Sequence, residues 1–359
     1  MNYIVNRNVT DPTMYILATA LTTFCFAFLA IKFFNPVAIE MGLVDKPSER
    51  KQHSGHIPLI GGISIFLAVL AASLIWLPNT LELRMYLIAS AMMVFIGALD
   101  DKFDLRVRVR IIGQIIIASL MIYGVGGYIS NVGDLFGFGD VILGPVGILF
   151  TYVAIIVVIN AYNMIDGIDG LIGSLSINTF TSIAILFIMS GQTDYLSYPL
   201  ILATATIPYL MYNLGVFEKL LGKESKKIFM GDAGSMFVGL SVIWLLTMGT
   251  QGEQASFRPV TALWICAIPL MDMLAIVVRR YKSGKSPFKP DRDHLHHIFQ
   301  RIGFTSQQTL VLISIVSVAF SAIGIAGEYF NISESIMLLG FLALFFLYSV
   351  TIRAIAKYK

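Results

Sequence analysis

The sequence predicts an all-α integral membrane protein, a polytopic bundle of about 11 transmembrane helices, and three observations support this fold class. Of the 359 residues, 57% are hydrophobic and only 13% are charged, and the mean hydropathy is +0.78. Apolar runs long enough to cross a bilayer recur along the whole chain. Lys and Arg are concentrated in alternate connections between those runs. This pattern excludes an ordinary soluble domain, and we expect residues 1–359 to form a single membrane domain.

Eleven apolar runs are candidate spans, and the weakest is the run at 109–124, which is short and begins in a basic cluster. No basic segment precedes the first run and no clear cleavage site ends it, so we expect it to be retained as a span. The runs lie near 14–34, 57–77, 83–99, 109–124, 141–160, 171–190, 196–214, 233–250, 259–279, 308–327 and 335–355.

Positive charges predict the orientation of these spans. If the N-terminus is periplasmic, only Arg7, Arg84 and Arg258 face outward, and the other 22 of the 25 Lys and Arg residues are cytoplasmic. The positive-inside rule favours this arrangement, and an odd number of spans then makes the C-terminus cytoplasmic. The outer segment 125–140 is rich in Gly and lacks Lys and Arg, which is typical of a short hairpin. We expect the lipid bilayer as a partner and no nucleic acid.

The polar stretch 160–170 lies between two apolar runs, where a membrane helix meets water. It carries two carboxylates, Asp166 and Asp169, which share one face of a helical end because they are three residues apart. Asn160 and Asn163 add carboxamides, and charged groups this close to the hydrocarbon region are costly. A polar turn between two spans is the alternative, but a plain turn seldom needs two Asn and two Asp.

Two further acidic motifs end or begin apolar runs. Asp100 and Asp101 end the third run. Because the two carboxylates repel each other, we expect a cation or basic partners beside them. The alternative is a solvated helix end that Lys102 and Arg106 neutralise. Asp232 opens the eighth run, where it either caps a helix or binds Mg²⁺ together with substrate phosphate. Three residues before it, Phe229 is either a core residue or a platform for a base.

Three of the five histidines, His294, His296 and His297, lie in a basic loop after the ninth run. The loop has no Cys, and its positive charge disfavours zinc but suits an anion such as a diphosphate. An ordinary positive-inside loop is the alternative, which explains the Lys and Arg but not the histidines. Asp272 lies inside the ninth run. It is either a functional-site residue or the partner of a basic neighbour.

A rigid basic loop precedes the second run. Its positive charge suits contact with an anion or a lipid headgroup, and a purely structural role is the alternative. Its residues are Pro47, Arg50, Lys51, His53 and Pro58. By the predicted topology, all these motifs lie on the cytoplasmic side and form one polar site. Carboxylates, amides, a divalent cation and basic groups together indicate phosphate chemistry between a water-soluble and a lipid substrate.

The motifs at 99–101, 160–170, 229–234 and 293–297 resemble those of the polyprenyl-phosphate N-acetylhexosamine-1-phosphate transferases. They occur in the same order, and the match extends over nearly the whole chain. The His-Leu-His-His arrangement, followed by Gly303 and Gln307, is similar to the branch that acts on undecaprenyl phosphate and UDP-N-acetylglucosamine to start O-antigen or enterobacterial common antigen synthesis. Leu295 argues against the muramoyl-pentapeptide branch, which typically has three consecutive histidines.

The resemblance implies a transferase of the bacterial inner membrane in which the phosphate of undecaprenyl phosphate attacks the β-phosphorus of UDP-N-acetylglucosamine and UMP leaves. It implies Mg²⁺ or Mn²⁺ as the cofactor, bound by Asp232 with Asn163. Asp100 would deprotonate or orient the lipid phosphate, with support from Asp101. The implied uridine contacts are Asp166, Asp169 and Phe229, and the implied diphosphate contacts are Arg292, His294, His296 and His297, with Lys51 as a further substrate contact.

Two other classes of protein stay open at this point. An intramembrane prenyltransferase would use Asp100 to Asp104, which fits a DDxxD pattern, although a second motif of that kind is missing. A transporter would need charges midway along several helices, and only Asp272 comes near that requirement. The sequence leaves open the prenyl length of the acceptor, the sugar epimer, the choice of metal, an aspartyl-phosphate intermediate and a homodimer.

Overall fold

The computed structural model describes residues 12–45, 55–216, 227–282, 284 and 294–357. A short antiparallel ribbon joins β1 (Val44–Asp45) to β2 (Ile57–Pro58), and the other regular elements in the described residues are helical. The helices are α1 (Pro12–Glu40), α2 (Gly61–Trp76), α3 (Leu81–Phe103), α4 (Val107–Ser119, continued by a π-helical turn at Leu120–Gly124), α5 (Val146–Ile165), α6 (Leu171–Met189), a 3-10 turn (Thr193–Tyr195), α7 (Ser197–Asn213), α8 (Gly231–Thr250), α9 (Pro259–Ile265), α10 (Ala267–Lys282), α11 (Leu295–Arg301), α12 (Ser306–Tyr329) and α13 (Glu334–Lys357).

The long apolar helices confirm the predicted class of a multi-pass helical membrane protein. Within the described residues, eight helices are long and apolar enough to span a bilayer, or nine if α9 and α10, which meet at 83°, form one broken span. Each of the eleven predicted runs contains a helix, but α2 has 16 residues and α7 has 17, fewer than the roughly 20 of a typical span. The count of eleven spans therefore stays a prediction.

Helix α8 lies at the centre of the bundle, with 94% of its apolar window buried. Its neighbours approach it closely because glycines face it. A Cβ on Gly62 of α2 would overlap the backbone of Gly234, and a Cβ on Gly97 of α3 would overlap the backbone of Ala233. Small residues of this kind let membrane helices pack backbone to backbone. The ends of α2 and α3 are thereby held against the first turn of α8, where the acidic motifs lie.

At the opposite end of α8 the structure confirms the predicted hairpin, whose position on the outer side of the membrane stays a prediction. Asn131 and Ile142 form an antiparallel bridge between its two arms. Gln251, directly after α8, accepts hydrogen bonds from the backbone N–H groups of Ser130 and Asn131 and donates one to the Asn131 carbonyl. The hairpin and the acidic motifs thus lie at opposite ends of the same central helix.

Candidate active site

Asp101, at the end of α3, caps the N-terminus of α8. Its Oδ1 accepts a hydrogen bond from the Asp232 N–H at 2.7 Å, and its Oδ2 accepts one from the Ala233 N–H at 3.1 Å. These N–H groups belong to the first turn of α8 and have no partner within the helix. Gly231 has a φ of +73°, and a Cβ there would meet the Asp101 carboxylate. Since Asp101 provides the cap, the side chain of Asp232 is available for other contacts.

Asn163, near the end of α5, directs its amide group at α8. Its Nδ2 donates to Asp232 Oδ1 at 2.7 Å and to Ser235 Oγ at 2.9 Å. The structure therefore brings together the two residues that were predicted to bind the metal ion. The carbonyl oxygen of the Asn163 amide is the atom of this side chain that can ligate a cation.

Asp100 is buried, with only 4% of its surface exposed, and two groups balance its charge. Its Oδ1 accepts from the Leu105 N–H at 2.8 Å, and its Oδ2 forms an ion pair with Arg110 at 2.7 Å. The basic partner is thus Arg110 on α4, whereas the sequence suggested Lys102 and Arg106. The Asp100 carboxylate also lies close enough to Asp232 to interact with it electrostatically. We call Asp100, Asp101, Asn163 and Asp232 the α8 corner.

Asp166 follows α5 directly and is half-buried. Burial, together with the negative charges of Asp232 and Asp169, raises the pKa of its carboxyl to about 7. Carboxylates that oppose one another's ionisation provide a favourable place for a cation. In the described residues no three His, Cys, Asp or Glu side chains form a ready-made metal cluster. This donor set fits Mg²⁺, which takes one or two protein carboxylates with phosphate and water, better than zinc.

Lys227 connects two of the predicted uridine contacts. Its Nζ lies 2.5 Å from Asp169 Oδ2 and 5.2 Å from the centre of the Phe229 ring. The Asp169 carboxylate is exposed, and the Phe229 ring is half-buried, so both remain accessible to a ligand. Lys227 was not among the predicted site residues. Its position two residues before Phe229 was the available indication in the sequence.

Asn213, at the end of α7, joins the two loops that carry these residues. Its Oδ1 accepts from the Gly170 N–H at 2.6 Å, and its Nδ2 donates to the Ile228 carbonyl at 2.9 Å. Gly170 has a φ of +78°, which only glycine adopts readily. Asn213 is 3% exposed, so both contacts are shielded from water. Asn213 lies at the end of an apolar run, and its sequence context did not indicate this role.

Asp272 supports the histidine segment (294–297) from inside the bundle. Its Oδ2 lies 2.9 Å from His294 Nδ1, and its Oδ1 accepts from the Leu295 N–H at 2.9 Å and from the Tyr348 hydroxyl at 3.0 Å. Of the two readings left open by the sequence, pairing with a basic neighbour is the one that the structure supports. The neighbour is His294, and the contact connects α10, α11 and α13.

His296 is the most enclosed of the three histidines, at 1% exposed. Its ring packs against Gly167, where a Cβ would overlap it, so the histidine segment contacts the Asp166 loop. Burial, together with the neighbouring His297 and His294, lowers the pKa of His296 to about 2. Neither ring nitrogen has a hydrogen-bond partner among the described residues. A neutral imidazole still offers one N–H donor, which can serve a phosphate oxygen without a positive charge.

The structure brings the four motifs together at one end of the bundle, as the sequence predicted for a single polar site. Asp101 and Asn163 meet Asp232, and Gly167 meets His296. Two predicted contacts, Lys51 and Arg292, lie outside the described residues. The roles assigned to the other predicted residues stay predictions.

Comparison with known proteins identifies the family. Residues 83–250 match the model of glycosyl transferase family 4. The undecaprenyl-phosphate alpha-N-acetylglucosaminyl 1-phosphate transferase of Yersinia pestis is 46% identical over 331 residues, which cover 92% of this chain and 89% of that protein. The protein of the same name from Escherichia coli K12 is 44% identical over 93% of this chain and 90% of that protein. The one from Pasteurella multocida is 45% identical over 94% and 93%. The chain therefore belongs to glycosyl transferase family 4, which confirms the family that its motifs resemble.

Proposed function

We propose that this protein transfers N-acetylglucosamine-1-phosphate from UDP-N-acetylglucosamine to undecaprenyl phosphate and releases UMP. The observation that carries the proposal is the α8 corner, where Asp100, Asp101, Asn163 and Asp232 from three helices converge. The names of the relatives support the same donor and acceptor. The product, undecaprenyl-diphosphate-N-acetylglucosamine, would begin O-antigen, enterobacterial common antigen or a related surface polysaccharide. The whole chain would act as one transferase domain.

In the proposed reaction, an oxygen of the lipid phosphate attacks the β-phosphorus of the nucleotide sugar, and the bond from that phosphorus to UMP breaks. Asp100, held by Arg110 and the Leu105 N–H, is a fixed carboxylate that would take a proton from the lipid phosphate or orient it. Asp101 positions Asp232 through the backbone of α8. Asp232 and the carbonyl oxygen of Asn163 would hold Mg²⁺ or Mn²⁺, which when bound neutralises charge on the diphosphate and on leaving UMP.

The donor substrate would bind between the Asp166 loop and the histidine segment. Phe229 would stack on the uracil base, with Asp166 and Asp169 as polar contacts. Lys227, paired with Asp169, supplies a positive charge beside that ring. The neutral imidazole of His296 would donate to a diphosphate oxygen from a water-poor position, where a hydrogen bond is stronger. His294, His297, Arg292 and Lys51 would complete the contacts to the donor.

The direct test incubates the purified protein with radiolabelled UDP-N-acetylglucosamine and undecaprenyl phosphate, with and without EDTA. We expect the label to enter the lipid fraction with release of UMP, EDTA to stop both, and added Mg²⁺ to restore both. Absence of UMP release in the presence of Mg²⁺ would contradict the proposal and favour the prenyltransferase alternative. That alternative finds little support in the geometry, because Asp104 is exposed and lies beyond the end of α3.

We also propose that the site faces the cytoplasm of a bacterial inner-membrane protein, with the N-terminus in the periplasm. Cysteine labelling tests this orientation in a variant in which Cys25 and Cys266, the two native cysteines, are replaced by serine. A cysteine at Phe138, which is 96% exposed in the outer hairpin, should react with an impermeant thiol reagent in intact cells. A cysteine at exposed Lys102 should react only after the membrane is opened. The reverse pattern would invert the topology.

A further inference from the structure

A groove of about 250 Å³ lies between α10 and α13, apart from the α8 corner. Its α10 side is one helical face, since its four residues recur at intervals of three and four. Its α13 side is likewise a single face. The groove is lined by Ala275, Val278, Arg279 and Lys282 of α10 and by Phe345, Phe346, Ser349 and Ile352 of α13.

The lining combines an apolar wall with positive charge. Ala275 and Ile352 are buried, whereas Val278 and Phe346 are exposed to the surroundings of the bundle. Arg279 and Lys282 lie in the last turn of α10. None of the described residues that line the groove is acidic. The helix dipole favours cations in that turn, but it does not explain an open apolar groove beside them.

The groove belongs to the same end of the bundle as the candidate active site. Asp272, which holds His294, lies one turn before Ala275 on α10. Tyr348, which donates to Asp272, is the immediate neighbour of Ser349 on α13. This end carries the predicted cytoplasmic basic residues, and basic pockets between membrane helices on that side bind anionic lipid headgroups.

We propose that this groove binds one anionic phospholipid of the surrounding bilayer. The phosphate would lie against Lys282 and Arg279, and an acyl chain would follow the wall formed by Val278, Phe345 and Phe346. The lipid would hold α10 against α13 behind the Asp272–Tyr348 contact. It is a structural partner of the protein, distinct from the undecaprenyl phosphate acceptor of the proposed reaction.

Native mass spectrometry of the full-length protein, titrated with phosphatidylglycerol or with phosphatidylcholine, tests the proposal. We expect wild-type protein to retain one phosphatidylglycerol in preference to phosphatidylcholine. Lys282→Ala should weaken that binding about fivefold, the contribution of one cation near a membrane surface. Ser349→Leu should also reduce binding, because it fills the groove without changing its charge. Lys32→Ala, which removes an exposed lysine of α1, is the matched control and should bind as wild type does.

The same variants separate the phospholipid from the acceptor substrate. The KM for undecaprenyl phosphate should be the same for Lys282→Ala and Lys32→Ala. Equal retention of the two phospholipids by wild-type protein would overturn the proposal, as would equal phosphatidylglycerol binding by the two lysine variants. A raised KM for undecaprenyl phosphate in Lys282→Ala, with phosphatidylglycerol binding unchanged, would assign the groove to the acceptor instead. Since the binding readout does not depend on turnover, it stands apart from the test of the proposed activity.

Discussion

The α8 corner and the histidine segment lie on two sides of one site but are held in different ways. In the corner, Asp101 and Asn163 bind the first turn of α8, and the backbones of α2 and α3 contact that turn through Gly62 and Gly97. Among the described residues, the histidine segment contacts the bundle through hydrogen bonds to the Asp272 carboxylate, the contact of His296 with Gly167, and the burial of Leu295.

The difference predicts separate roles for the two regions. Hydrogen bonds from two helices and close backbone packing fix the acidic groups, which would pre-organise them for the proposed phosphoryl transfer. The backbone and the first histidine of the histidine segment bind one buried carboxylate, Asp272, which lies on another helix. We therefore expect substitutions in the corner to affect the chemical step, and substitutions around Asp272 to affect mainly donor binding.

The largest expected effect is at the centre of the corner. Asp232→Asn should lower kcat about 10²–10³-fold, because it removes the carboxylate that would hold the cation that neutralises the diphosphate, and it should raise the Mg²⁺ concentration needed for activity. Metal titrations at saturating substrate measure both effects. Asp140→Asn makes the same change in the outer hairpin and should leave kcat unchanged. Normal turnover of Asp232→Asn at low Mg²⁺ would show that Asp232 has only a structural role.

The cap on α8 provides the next test, because it separates positioning from chemistry. Asp101→Asn keeps one acceptor oxygen but loses the charge and the second acceptor, and should cost about 1.5–3 kcal/mol of stability. Thermal unfolding in detergent measures this loss. Asp104→Asn, an exposed residue of the same helix end with a φ of +51°, is the matched control and should be neutral. Equal melting temperatures of the two variants would show that the cap does not hold the corner.

The histidine segment should respond in KM rather than in kcat. Asp272→Asn replaces a charged acceptor of His294 and the Leu295 N–H, and should raise the KM for UDP-N-acetylglucosamine about tenfold or more. The KM for undecaprenyl phosphate should stay nearly constant. Tyr348→Phe removes only the third donor and should have a smaller effect in the same direction. Steady-state kinetics with each substrate varied separately measures both KM values and kcat. A change confined to kcat would contradict the proposed difference between the two regions.

A further prediction concerns the charge of His296 and is confined to stability. Its folded-state pKa of about 2 lies far below the ordinary value of about 6.5. The unfolded state therefore binds the proton more readily, and the stability due to the neutral ring is complete above about pH 6.5 and falls as the pH falls. Between pH 7 and pH 5, wild type should lose about 2 kcal/mol more than His296→Asn, whose amide does not titrate. If the pH profiles of thermal unfolding of wild type and His296→Asn are parallel, His296 accepts a proton in the folded state.

The helices and the family could be predicted from the sequence, because apolar runs and local motifs are contiguous in the chain. The cap that Asp101 forms on α8 could not, because it depends on two segments 131 residues apart meeting through glycine contacts. Arg110 was hidden among several basic residues, and the sequence offered Lys102 and Arg106 as nearer partners for Asp100. Asp272 was recognised as unusual, but its partner depended on how α11 folds back onto α10.

The central claim is that the protein transfers a phosphosugar rather than the sugar alone, and the position of the β-phosphorus tests it most directly. The purified protein is incubated with undecaprenyl phosphate, Mg²⁺ and UDP-N-acetylglucosamine that carries a radiolabelled β-phosphorus. We expect the label to move into the lipid and unlabelled UMP to be released. Label that stays in the aqueous phase as UDP, with the sugar on the lipid, would contradict it.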